Sequence, residues 1–248
     1  MEQPSIFFWG FEIAEPVTAA TDLLVSAVCF YAWRQLARRP LPNRAYRYYT
    51  WYFLTMGIAT FLGGILGHAL IHAIPFHWKL PGWLISMISV TLAERASIAQ
   101  AAPLLKPRFV STLKIANWTE LGLFLGIVFY TLDFNFVGVH SAFSLLFVLF
   151  PIHFFIYRKS HNPGSLLFLR AVALATVAYV IYISKTGFGP WFNHLDISHV
   201  IMAYCAWLFY RGVLKMGLDN HPGPGFKKPS GVHSPAHTTS PEYSEHLL

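Results

Sequence analysis

The chain has 248 residues, 55% of them hydrophobic and only 12% charged, with a mean hydropathy of +0.46. A soluble domain carries about twice that charged fraction, so an ordinary soluble domain is excluded and much of the chain is built to dissolve in lipid. The formal net charge of +7 does not mark a nucleic-acid binder, because the basic residues sit in loops between apolar runs, as in the cytoplasmic loops of membrane proteins.

Seven apolar runs follow one another: 15–36, 48–74, 81–104, 112–132, 136–157, 164–185 and 195–215. Each is long enough to cross about 30 Å of hydrocarbon as a helix. Strict alternation is missing, and an open sheet cannot satisfy its backbone in lipid. The predicted fold is therefore all-α, a polytopic membrane protein with one bundle of seven transmembrane helices. Arginine and lysine set its orientation. Arg34, Arg38, Arg39, Arg44 and Arg47 follow the first run, Lys106, Arg108 and Lys114 the third, Arg158 and Lys159 the fifth, and Arg211 and Lys215 end the seventh. The opposite loops hold only Lys79 and Lys185. This asymmetry places the N-terminus outside and the C-terminus in the cytoplasm of a multi-pass cell-membrane protein. The domains are a short extracytoplasmic N-terminus (1–14), the transmembrane domain (15–217) and a Pro-, Gly-, Ser- and His-rich cytoplasmic tail (218–248), expected to be disordered. No basic n-region precedes the first run, so no cleavable signal peptide is expected. Cys29 and Cys205 lie inside apolar runs and do not identify a redox compartment.

The first helix opens with Glu15-Pro16, and proline suits a first turn. Glu15, Thr18, Asp22, Ser26 and Cys29 form one stripe on it. An acidic residue at mid-membrane costs about 2.5–3.5 kcal/mol, so this stripe is expected to face the bundle interior, with Asp22 about 10 Å deeper than Glu15 at 1.5 Å per residue. On the second helix, Gly57, Thr60, Gly64, His68 and His72 fall within an arc of about 120°. Small residues let another helix come close, and two imidazoles one turn apart can share a ligand. The third helix carries Glu94 followed by Arg95, read as partners in a structural ion pair with other helices. Asn117 and Glu120 lie on the fourth, His140 opens the fifth, and His153 reads as structural. The seventh begins with His194, Asp196 and His199.

With the N-terminus outside, Glu15, Asp22, His68, His72, His140, His194, Asp196 and His199 share the outer half of the membrane. Three histidines and a nearby carboxylate are one kit for a catalytic zinc site, since three protein ligands leave one position open for water. The expected metal ligands are His68, His72, His194 and His199, with Asp22 and Asp196 as catalytic carboxylates that orient water or move its proton.

On these residues the chain resembles the superfamily of seven-helix membrane hydrolases that includes the alkaline ceramidases and the progestin/adiponectin-type receptors. That pattern has Ser-x-x-x-His on the second helix, Asp on the third and His-x-x-x-His on the last. Here His68 matches the first histidine, with Gly64 in the serine position, and His199 matches the last. Glu94 replaces the third-helix Asp, and Leu195 stands where the other histidine would be. The resemblance implies a zinc-dependent hydrolase of lipid amides whose partners are the bilayer and a lipid substrate. Two other readings compete. One is a haem-binding electron-transfer protein with His68 or His72 and His140 or His199 as axial ligands. The other is a non-enzymatic receptor or transporter with buried polar groups.

Overall fold

The computed structural model describes residues 3–40 and 43–216; the expected tail, 218–248, lies outside them. A two-stranded antiparallel hairpin comes first, β1 (Ile6–Phe8) and β2 (Phe11–Ile13). Its two-residue turn places Trp9 and Gly10 at positive φ, as the twist of a tight hairpin demands. Seven helices follow: α1 (Pro16–Ala37), α2 (Arg44–Ala69), α3 (Leu80–Ala101), α4 (Pro107–Thr131), α5 (Asn135–Ser160), α6 (Pro163–Ser184) and α7 (His194–Met216). All but α3 are long and apolar enough to cross a membrane. At 22 residues α3 is as long as α1, but it carries Glu94-Arg95 and a buried polar set of Ser89, Thr91 and Ser97. The chain is an all-α helical bundle and an integral membrane protein.

The helices close a ring. Helix α1 packs on α2 and α7, α2 on α3, α3 on α4 and α5, α5 on α6, and α6 on α7. Inside it lies an aromatic core in which Phe168 of α6 stacks on Phe209 of α7 at 4.6 Å and on His153 of α5 at 4.1 Å. His153 is fully buried and faces Tyr49, Ser97 and Ser165 at 3.1–3.3 Å, which suits a core residue. The outer surface is apolar: Ile115, Leu123 and Phe129 of α4, Phe147 of α5, and Val177 and Ile183 of α6 are exposed, as lipid-facing residues should be. Cys29 and Cys205 are buried free thiols.

Two stretches depart from α-geometry. Residues Gly63–Ala69 of α2 and Ser144–Leu149 of α5 are wound as π-helix. Such widenings concentrate at functional sites, and in this chain each supplies a residue to a buried polar group.

Candidate metal centre

The first helix begins without a cap from its own Glu15. Gln3 substitutes from the chain ahead of the hairpin. Its amide oxygen accepts from the N–H groups of Val17 (2.9 Å) and Thr18 (3.2 Å), two of the orphan donors of a helix start. Its amide nitrogen donates to Asp196 Oδ2 (3.3 Å) and Trp191 O (3.2 Å). Thr18 Oγ1 donates to Asp196 Oδ1 at 2.8 Å, and the Asn193 N–H to Oδ2 at 2.6 Å. Asp196 is fully buried, and both its oxygens are used in fastening the N-terminal end of α1 to that of α7.

This fastening brings Asp22 of α1 beside His199 of α7. Helix α2 delivers the third group. Gly63 and Gly64 let its π-wound end press on α1: a Cβ at Gly63 would lie 2.6 Å from Asp22 Oδ2, and one at Gly64 would lie 3.0 Å from the Ala19 carbonyl oxygen. Ser26 Oγ holds the preceding turn by donating to the Gly57 carbonyl at 2.8 Å. The outcome is a trio, Asp22, His68 and His199, whose ligand atoms all lie within 4.8 Å of one another. Asp22 is buried and the two imidazoles are partly buried.

The neighbours of the trio fix which ring nitrogens are free. His68 Nδ1 faces Glu15 Oε2 at 2.6 Å, so Nδ1 carries the proton and Nε2 the lone pair. Thr21 commits its hydroxyl proton to the Thr18 carbonyl at 3.0 Å. Its oxygen can therefore only accept from His199 Nδ1, 3.2 Å away, which again leaves Nε2 with the lone pair. Two Nε2 lone pairs and one carboxylate form a donor set suited to zinc and similar borderline cations. A carboxylate or hydroxyl on the second nitrogen of each ligating histidine is the usual way such rings are held.

The hydrogen bond from His68 holds the Glu15 carboxyl below its usual value of 4.5, against the opposing effect of partial burial. A group whose value is lowered on folding stabilises the fold above its unfolded value, and that contribution is lost as pH falls through the lower one. The acid limb of thermal stability should therefore steepen below about pH 4.5 in the native chain and flatten in Glu15→Gln, as melting in detergent across a pH series will read. The same variant should bind zinc about 10–100-fold more weakly.

Other residues singled out from the sequence lie elsewhere. His72 follows the end of α2, its side chain 64% exposed, and faces Glu12 of the hairpin at 3.5 Å. His194 packs on Tyr182 at the start of α7. Asp196 has the fastening role above. His140 faces Glu120 on another side of the bundle. Glu94 and Arg95 do not form the expected ion pairs among the described residues: Glu94 accepts from Asn117, while Arg95 donates to the Lys114 carbonyl and lies over the Trp118 ring. Sequence reasoning passed over Thr21 and Gln3. Thr21 precedes Asp22 but lies off the polar stripe, and Gln3 acts through chain reversal, which has no periodic signature.

Residues 17–218 match a family described as a family of unknown function (DUF6962). No curated protein and no solved structure matches the chain.

Proposed function

This chain belongs to that family, and we propose that it is a membrane metalloprotein that binds zinc through Asp22, His68 and His199 and hydrolyses a lipid amide or ester. The observation that carries this reading is the convergence of one carboxylate and two oriented imidazoles from three helices within 4.8 Å. The loop charges support an outward N-terminus, which puts the trio in the outer half of the cell membrane, within reach of a headgroup-proximal bond. The chemistry that zinc supplies in a three-ligand site is polarisation of a carbonyl and acidification of water.

The chain's own residues supply the rest. Glu15 and Thr21 orient the imidazoles, and Glu15 lies at the partly exposed rim. Zinc itself is favoured over haem iron by the position of Asp22. Two axial histidines need an unobstructed plane between them for the macrocycle, and Asp22 approaches both rings within the trio's own span.

Purified protein loaded with zinc and presented with lipid amides and esters in nanodiscs should release fatty acid, and Asp22→Asn should abolish release. Absence of bound zinc in protein purified without chelator and then exposed to the ion would overturn the reading. A further check comes from Gly63→Ala, whose new methyl must displace Asp22 Oδ2. It should weaken zinc binding about as much as the loss of an orienting partner, ~10-fold or more, as a competition titration with a zinc chelator will measure.

A further inference from the structure

We propose that Glu94, Glu120 and His140 form a second site in the membrane interior, and that its ligand is protons. It is built on α3, α4 and α5, none of which carries a member of the zinc trio. Glu94 is buried and its Oε2 accepts from Asn117 Nδ2. Its Oε1 makes no hydrogen bond of full geometry, though the Ser144 hydroxyl faces this carboxylate, and Asn117 Oδ1 makes none. His140 is fully buried, with Nε2 3.3 Å from Glu120 Oε1. That approach does not meet hydrogen-bond geometry, and both ring nitrogens, both Glu120 oxygens and Ser144 Oγ are buried with no hydrogen bond of full geometry. Ser144 opens the π-wound stretch of α5, one turn after His140, and its N–H is shared between the His140 and Ser141 carbonyls.

These groups hold an excess of acceptors. Stripped of protons, two carboxylates and an imidazole carry two negative charges in the interior of the bundle. The charged groups on the packed elements do not neutralise them. Arg95 of α3 is turned to the Lys114 carbonyl and the Trp118 ring, and Lys114 forms no ion pair among the described residues. His153, further along α5, is committed to Tyr49, Ser97 and Ser165, and the Phe124 ring packs 5.3 Å from that of His140. Every ion pair among the described residues involves a histidine, and Glu120's is with His140. Two protons restore neutrality, as one acid with an imidazolium–carboxylate pair or as two acids with a neutral ring. They also turn acceptors into donors, which is what this arrangement lacks. One divalent cation would balance the charge equally, but it needs its ligands gathered. Among the described residues only Asp22, His68 and His199 gather that closely, whereas protons need only pairwise contacts. Intramembrane carboxylate–histidine chains are the usual material of proton relays.

The test is infrared spectroscopy of the full chain in nanodiscs at neutral pH, with Asp22→Asn in the background to silence that carboxyl. A protonated-carboxyl C=O band is expected, shifted in heavy water, and removed by Glu94→Gln or Glu120→Gln. If neither glutamine variant folds, carboxyl-13C glutamate labelling of the Asp22→Asn protein should shift the band. No band, a band that survives both substitutions, or one that ignores the label overturns the proposal. So does a band bleached by manganese with one ion bound per chain. Failure of zinc binding at the other site leaves this outcome unaffected.

Discussion

Zinc content should fall from about one ion per chain to nearly none in His68→Ala, His199→Ala and Asp22→Asn, and stay unchanged in His72→Ala and His194→Ala. Loss of an orienting partner costs about 10–100-fold in affinity, and loss of a ligand should exceed this. A 100-fold loss corresponds to ~2.7 kcal/mol. Elemental analysis after dialysis against a weak chelator reads the result. The two controls carry the weight of the experiment. His72 and His194 have the same chemistry and lie at the same end of the bundle as the trio, so a general effect of removing imidazole would lower them equally. Equal content in all five variants, or a loss confined to His72 and His194, would dismantle the site.

Asp196→Ala should destabilise the metal-free protein by about 3 kcal/mol, since the side chain accepts hydrogen bonds from Gln3, Thr18 and the Asn193 N–H while fully buried, and bonds to a charged group are worth about 1.5–3 kcal/mol each without being additive. Thermal melting in detergent will show it. Gln3→Ala should cost less, and the double variant should cost less than the sum, because both act on one network. A change within about 0.5 kcal/mol, the range of a surface substitution, would mean that Asp196 fastens nothing. Zinc affinity should fall alongside, because α1 and α7 carry Asp22 and His199.

The helical spans were legible in the sequence because hydrocarbon forces long apolar runs, and the polar stripe of Thr18, Asp22, Ser26 and Cys29 is buried as helical periodicity requires. Depth was legible for the same reason, and it brought Asp22, His68 and His199 into consideration together. Lateral adjacency was not. His140 shares a helix half with the trio in sequence terms yet faces Glu120, because only packing decides which helices are neighbours. His72 shows a different limit: the arc that joins it to His68 assumes α-geometry, whereas α2 widens at Gly63 and ends at Ala69, leaving His72 in the turn beyond. Asp196 carries a carboxylate at the right level, but fastening the chain ahead of the hairpin to α7 consumes its oxygens, and nothing periodic reveals that.

The widened coil of Gly63–Ala69 makes residue count itself a determinant of the site. Between the turn that Ser26 holds at Gly57 and the ring that Glu15 grips at His68, the chain holds a surplus residue relative to a regular helix of equal rise. Were the stretch to tighten to regular α-geometry at unchanged length, that surplus residue would carry the His68 ring round by about 100°, away from Asp22 and His199. The position of His68 therefore depends on the wide winding being kept, and a change that restores regular winding at unchanged length should cost the zinc site.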